Sequence, residues 1–328
     1  MMKKISIKFL LKSEINKWVS DYILNILKKH FIVELSDEPD FVFCGSEEHN
    51  QVKYDCVRIV MIGENQRPDF NICDYAIGFD HIQFEDRYMR FPLYFLYEDI
   101  LEKATTKHIS NSSEMFTNKS GFCNFVVSNA NADDKRVQYF ELLSKYKTVD
   151  SGGRFRNNIG GPVVDKLEFQ KKYKFSICFE NSSTSGYITE KIFQAFAAKT
   201  IPIYWGDINI SKSINKGGSG INNKSFINLH DFESFEHSIQ YIKEIDSDSS
   251  LFLDVINQPV FIDNNHLDIY KNNLEKFLLN IFSQNANSAF RRGFGQYRVG
   301  IETRLKKSIQ LKSRKGLFNE LFRNVFLK

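Results

Sequence analysis

The sequence predicts an α/β protein built from two Rossmann-like domains facing a cleft, each a parallel sheet covered by helices. Three observations carry this expectation. The chain has 328 residues, more than one ordinary core accommodates and a length suited to two domains. Its first hundred residues are a succession of short apolar runs separated by turn residues. Residues 173–206 read as strand, loop, helix and strand, a crossover that requires a parallel sheet.

The elements follow in order. Residues 4–10 (KISIKFL) alternate as a strand does. Residues 14–29 place Ile15, Trp18, Val19, Tyr22, Ile23, Ile26 and Leu27 on one helical stripe. Short strands are predicted at 31–35, 40–45, 57–64 and 75–80, each ending in turn residues. Residues 103–121 lose apolar periodicity, fill with Ser, Thr, Asn and Lys, and read as a linker or flexible loop. A second α/β unit opens with a strand at 122–129. A helix follows over about 133–146, with Val137, Phe140, Leu142 and Leu143 facing inward. A glycine-bearing turn (151–161) and a helical stretch (166–172) lead to the crossover. Residues 211–224 read as a flexible loop. The expected domains are 1–115, 116–285, and a basic amphipathic helical tail over 286–328.

Composition narrows the classes. The chain is 42% hydrophobic and 26% charged, as a folded soluble protein is. Five cysteines are scattered without C-x-x-C pairs, which argues for buried thiols in a reducing compartment rather than a zinc site or disulfide framework. The opening residues begin with a positive charge, but Lys8 interrupts their apolar run and no small-residue cleavage site follows, so they read as a strand and not a signal peptide. No run reaches the ~18–20 apolar residues of a membrane span. A cytoplasmic location is expected.

The net charge of +4 is uneven, since residues 291–328 carry +9 and the rest −5. Leu317, Phe318, Leu321, Phe322, Val325 and Phe326 form an apolar helical stripe. Arg304, Lys306, Lys307, Lys312, Arg314 and Lys315 precede it. That pattern predicts an interfacial helix on an anionic membrane, the inner face of the plasma membrane. Docking on the protein's own body or on a second subunit is the alternative. Nucleic acid is not an expected partner, because the basic residues stand apart from any recognised motif.

Residues 173–206 carry the chemistry. The strand ends in Glu180-Asn181, and a loop of small polar residues (182–186) follows, so a ligand could approach the backbone. Thr189 is placed to cap the next helix, whose free N–H groups and partial positive charge suit a pyrophosphate. Lys191 in the first turn opposes the helix dipole unless an anion sits beside it. Glu190 could accept from ribose hydroxyls, and Tyr187 adds an aromatic. The plain alternative is a helix-favouring Glu190 and a solvated Lys191.

The run FENSSTSGYITEKIFQAFAAKTIPIYWGD (179–207) resembles the signature of the family 10 glycosyltransferases, the α-1,3/4-fucosyltransferases. Residues 60–94, 125–136 and 151–175 resemble bacterial members, and the resemblance covers roughly residues 40–280. It implies the GT-B type of fold and GDP-fucose as donor. It also implies an inverting α-1,3 transfer of fucose to the GlcNAc of a galactosyl-GlcNAc glycan in bacterial surface polysaccharide synthesis. Another nucleotide-sugar transferase of this architecture, or a non-catalytic carbohydrate-binding protein, is the alternative.

Residue by residue, the resemblance implies that Arg136 contacts the donor pyrophosphate, with neighbouring Lys135 as the substitute. Asn181, Tyr187, Glu190 and Lys191 match donor-binding positions, with Glu190 toward the ribose and Lys191 toward phosphate. Glu64 matches the proposed general base. No metal site is expected: Asp246-Ser247-Asp248 has D-x-D letters but falls at a polar helix end. No cofactor is required on this reading, with a divalent cation (Mn or Mg) at most stimulatory.

Overall fold

The structure, a computed structural model, describes residues 2–10, 14–46, 49–106, 114–263, 265–293 and 295–326. The chain begins β1 (Lys4–Phe9), α1 (Glu14–Leu27), β2 (Ile32–Leu35), β3 (Phe41–Gly45), β4 (Val57–Met61), β5 (Tyr75–Gly78) and β6 (Tyr88–Arg90). It continues α2 (Glu98–Thr105), α3 (Glu114–Thr117), β7 (Gly121–Phe125), α4 (Lys135–Ser144), β8 (Val149–Ser151), α5 (Lys166–Gln170), β9 (Tyr173–Phe179), α6 (Glu190–Ala197), β10 (Ile201–Trp205) and β11 (Ile227–Asn228). Helices follow at α7 (Phe235–Ser247), α8 (Ser249–Ile256), α9 (Asn265–Ser283), α10 (Ala286–Ala289) and α11 (Gln296–Phe326).

The chain divides into two compact units, Met1–Gly78 with Ile82–Phe91 and Asp268–Lys328, and Phe79–His81 with Pro92–Leu267. The first holds a six-stranded sheet ordered β2-β1-β3-β4-β5-β6, the second a five-stranded sheet ordered β11-β10-β9-β7-β8. Every pairing within both is parallel. Read from its second strand outward, each sheet has the doubly wound order 2-1-3-4-5 (extended by a sixth strand in the first unit), which reverses direction between its first and third strands. Such folds bind ligands at that reversal, beyond the strands' carboxyl ends. In the second unit the reversal lies between β7 and β9.

In the first unit, α1 buries Val19, Ile23 and Leu27, as its stripe predicts; Trp18, at its edge, stays exposed. The side chain of Ile15 lies outside the described residues. α9 buries Leu274, Leu278, Ile281 and Phe282, spaced as one helical face. The Phe282 ring sits 4.6 Å from Phe41 and 6.2 Å from Phe43 and Phe31. Burying one such side chain contributes roughly 1.5–3 kcal/mol, which is why this late helix belongs with the early strands.

Two expected boundaries are therefore corrected. Residues 92–115 do not belong with the first domain, because α2 packs on α6; α2 and α3 also replace part of the linker predicted at 103–121. Nor does a separate tail begin at 286. Arg58, Asp74 and Arg292 are all buried. Asp74 accepts from the backbone N–H groups of Arg58 (2.7 Å), Arg291 (2.8 Å) and Arg292 (2.9 Å) and pairs with the Arg292 guanidinium at 2.8 Å. Glu302 of α11 pairs with Arg58 at 2.8 Å. A chain cut before 291 would strip partners from buried charges. The same logic predicts that Asp74→Ala, which leaves the buried Arg292 guanidinium without its carboxylate and three backbone N–H groups without their acceptor, costs about 3–5 kcal/mol; denaturant unfolding checks this, and an unchanged midpoint would remove the cluster's structural role. The side chains beyond Lys312, including the apolar stripe at 317–326, lie outside the described residues.

The loop predicted as flexible at 211–224 is folded back on itself. The Gly218 and Gly220 amides donate to Ser213 O and Lys212 O, and Ser219, Gly220 and Ile221 are buried. Its glycines and polar residues serve a tight turn, for which composition is the same as for a mobile one.

Candidate functional site

The second unit concentrates its buried charge beyond the carboxyl ends of β7 and β9, at the reversal of strand order. β9 buries Phe175, Ile177, Cys178 and Phe179, and the chain then turns polar. Glu180 is fully buried and its amide donates to Trp205 O of β10, so the strand pair delivers its carboxylate directly to the start of α6. Glu180 Oε1 accepts from the Thr189 backbone N–H at 2.8 Å. Its Oε2 accepts from the Thr189 hydroxyl at 2.8 Å and from Lys191 Nζ at 2.9 Å. Lys191 Nζ donates also to Thr189 Oγ1 at 2.9 Å.

This arrangement answers the problem that Lys191 poses in the first turn of a helix. The anion that offsets the dipole is supplied by the chain itself. Burial, the largest single influence, would lower the Lys191 pKa; the charges of Glu180 and Glu190 and the hydrogen bond Lys191 donates to Glu180 together outweigh it and hold the ammonium above its ordinary range. The predicted cap is corrected in detail. Thr189 occupies the position before α6, but its side chain makes no capping bond to the helix. Its hydroxyl turns to the carboxylate because a bond to a charged acceptor is the stronger one. The first N–H groups of α6, as at any helix start, have no intrahelical partner.

Arg136 enters from α4. It is 1% exposed, so it is not a surface arginine. Its Nη2 donates to Asn181 Oδ1 at 2.7 Å and Phe179 O at 3.1 Å, and its Nη1 to Asn129 O at 3.3 Å. Its Nε is buried and finds no hydrogen-bond partner among the described residues. Burial lowers the Arg136 pKa, against the opposing pull of Glu180 and Tyr187. Lys135, the neighbouring alternative, is exposed and stands 5.2 Å over the Trp205 ring.

The structure thus brings Arg136, Asn181 and Lys191 to one sheet edge. Glu190, half-buried, is the first residue of α6, where an acid favours the helix dipole. Tyr187 is buried and packs edge-on against Phe79 at 5.0 Å; its ring is covered, while its hydroxyl stays within electrostatic reach of Arg136. Gly186, at φ 83°, lets the loop turn there, and a Cβ would fall 2.8 Å from Phe79 O. Gly206 ends β10 where a Cβ would meet Tyr204 Oη at 2.5 Å and Glu180 Cγ at 2.7 Å. Only glycine leaves room for the buried carboxylate.

Glu64 is not among these residues. It lies in the first unit, three residues beyond the end of β4, exposed, with its carbonyl accepting from the Gln66 amide at 2.7 Å. Sequence reasoning missed the roles of Glu180 and Lys166. The second extends from α5 to Gln194 Oε1 at 2.5 Å, and burial lowers its pKa. An acid directly after the apolar run Ile177–Phe179 was a signal for Glu180; nothing local marked Lys166. Asp246 pairs with Lys147 and, at 2.9 Å, with Lys174, and accepts from the Tyr146 hydroxyl at 3.0 Å. Among the described residues no three His, Cys, Asp or Glu converge as metal ligands do.

Known proteins align with both units. Residues 7–97 match the family described as "Alpha-(1,3)-fucosyltransferase FucT N-terminal domain", and residues 116–257 match "Glycosyltransferase family 10 (fucosyltransferase) C-term". The chain is 34% identical to the alpha-(1,3)-fucosyltransferase FucT of Helicobacter pylori, over 74% of this chain and 57% of that one. A putative fucosyltransferase of Acanthamoeba polyphaga mimivirus is 28% identical over 80% of this chain and 43% of its own length. The chain therefore spans about half the length of these curated relatives. A solved alpha1,3-fucosyltransferase with GDP-fucose superposes with a TM-score of 0.68 and 30% identity, covering 85% of this chain and 91% of that one. The structure of an alpha1,3-fucosyltransferase with GDP gives 0.67 and 31%, covering 84% and 91%.

Proposed function

The chain belongs to glycosyltransferase family 10, the fucosyltransferases, with the GT-B type of fold, and from that premise we propose that it is an inverting α-1,3-fucosyltransferase. Its donor would be GDP-β-L-fucose, and its acceptor the GlcNAc of an N-acetyllactosamine-type glycan, giving a Lewis x-type product in bacterial surface polysaccharide synthesis. The observation that carries the reading is the cationic edge of the second unit. There Arg136, with a spare buried Nε, and Lys191 stand at the N-terminus of α6.

In the proposed reaction Glu64 takes the proton from the acceptor hydroxyl as that oxygen attacks the anomeric carbon. The bond from that carbon to the GDP oxygen breaks, and negative charge grows on the departing diphosphate. Arg136, Lys191 and the free N–H groups of α6 stabilise that charge. Glu190 is assigned to the ribose, and Asn181 and Tyr187 hold the arginine and the loop in place. No step is assigned to a metal ion, and Mn or Mg is proposed as stimulatory at most. Incubating the protein with several nucleotide sugars and galactosyl-GlcNAc, following nucleotide release and assigning the product linkage by NMR, tests the reading. GDP release with an α-1,3 fucosylated product is expected; transfer from another nucleotide sugar and none from GDP-fucose would overturn it.

We further propose that the C-terminal helix lies on the cytoplasmic face of the plasma membrane. No helix among the described residues is long and apolar enough to cross a membrane, and the exposed Arg304, Lys306, Lys307 and Lys312 offer charge to anionic lipid. Removing residues 313–328, beyond the Arg58–Glu302 pair, is expected to release the protein from anionic liposomes while transfer to a soluble acceptor persists. Undiminished liposome binding would refute the anchor.

A further inference from the structure

We propose that Glu180 is the positioning residue of the donor site, a buried carboxylate that holds Thr189 and Lys191 where the donor diphosphate is received. The proposal rests on the donor-site reading above. Glu180 touches no reacting atom in this arrangement; it acts through its neighbours.

Three donors converge on its two oxygens, at 2.8, 2.8 and 2.9 Å, and its side chain is fully buried. A structural carboxylate could be satisfied anywhere along a strand. This one binds both the residue before α6 and the lysine in that helix's first turn, so it sets the start of the helix and the lysine together. Lys191 has three ammonium protons. Two are committed, to Glu180 Oε2 and Thr189 Oγ1, which leaves one in a fixed direction. A long lysine chain that would otherwise sample many rotamers is thereby ordered before ligand arrives, and preorganisation of this kind raises affinity.

Charge balance points the same way. The groups facing Lys191 are Glu180 and Cys178 from β9 and its following turn, Glu190 from its own helix, Arg136 from α4 and Lys166 from α5. Three cations share a poorly solvated edge with two carboxylates. Only Glu180 is both fully buried and in direct contact with Lys191. Without its charge, burial would draw the Lys191 pKa below the ordinary lysine value, and the site would lose a cation as pH rises.

Glu180→Gln keeps an acceptor for the Thr189 amide and removes the charge. GDP titration by calorimetry across pH is the test. With the parent protein, GDP affinity should hold through the neutral and mildly alkaline range, because Lys191 stays protonated. In Glu180→Gln it should be about 10–100-fold weaker, a loss of about 1.4–2.8 kcal/mol by the tenfold-per-1.4 rule. It should also weaken further as pH rises through the lowered Lys191 pKa. In a Lys191→Met background the same change should cost less than threefold, since its route is already gone.

Parent-like affinity with a parent-like pH profile in Glu180→Gln would overturn the proposal. Losses that multiply in the double variant would overturn it as well. If Glu180→Gln does not fold, Thr189→Val takes its place. That variant breaks the hydroxyl bridge with no change of charge and should weaken GDP several-fold, and unchanged affinity would count against the proposal. A Lys191→Met protein that binds GDP as the parent does would instead sink the donor-site reading itself.

Discussion

Glu64→Gln is expected to lower the transfer rate by about 10²–10⁴-fold, the range that general-base catalysis contributes, while GDP affinity stays at the parent value. Glutamine preserves the size of the side chain and its capacity to accept a hydrogen bond, but it cannot take the proton of an acceptor hydroxyl. The proposal assigns proton transfer and diphosphate binding to different residues. Glu64 stands past the end of β4 in the first unit, whereas the cationic edge proposed for the diphosphate belongs to the second. Because Glu64 is exposed and glutamine keeps its size, stability should change little. Initial rates with saturating donor, set beside a calorimetric GDP titration, measure both quantities. A rate within threefold of the parent would remove Glu64 as the base, and a GDP affinity that collapsed with it would move Glu64 into the donor site.

Arg136→Met should cost about 10²–10³ in turnover, the loss typical of removing one donor to a developing oxyanion, and should weaken GDP binding in parallel. Methionine replaces much of the apolar stem but none of the N–H groups. Asn181 Oδ1 and Phe179 O would lose their donor, so a stability loss of roughly 1–3 kcal/mol accompanies the change. The rate must therefore be measured well below the variant's unfolding temperature. Lys135→Ala supplies the comparison, since Lys135 is exposed over Trp205 and should alter turnover by less than threefold. A larger loss in Lys135→Ala than in Arg136→Met would shift the phosphate contact one residue earlier.

Much of this molecule was legible before any coordinates. The strands at 4–9, 41–45, 57–61, 75–78 and 201–205 and the helices at 14–27, 135–144 and 190–197 lie where alternation and helical stripes put them. Their cores are covered on both faces, so the apolar pattern is strong. The strands β6, β8 and β11 were not legible, being two or three residues long; too few positions exist for a period to register. The helix α9 has a clear stripe, yet which sheet it covers is a long-range choice that periodicity does not encode. The family signature at 179–207 pointed to Asn181, Tyr187, Glu190 and Lys191 together because they lie in one contiguous crossover, whereas Arg136 lies outside it.

Residues 173–206, by themselves, determined a strand, a small-residue turn and a helix start carrying Glu190 and Lys191, and hence a place suited to a diphosphate. The tertiary structure decided what holds Lys191. It is tied to Glu180, the residue that sequence reasoning had read only as a polar strand end. The physical reason is burial. A carboxylate exposed at a strand end is unremarked, whereas one enclosed by β10, Gly206 and α6 must find donors, and it finds them in Thr189 and Lys191. The same holds for the C-terminal segment. Its excess positive charge was plain in the sequence, but only packing showed that Arg292 and Glu302 are held by Asp74 and Arg58, more than two hundred positions away.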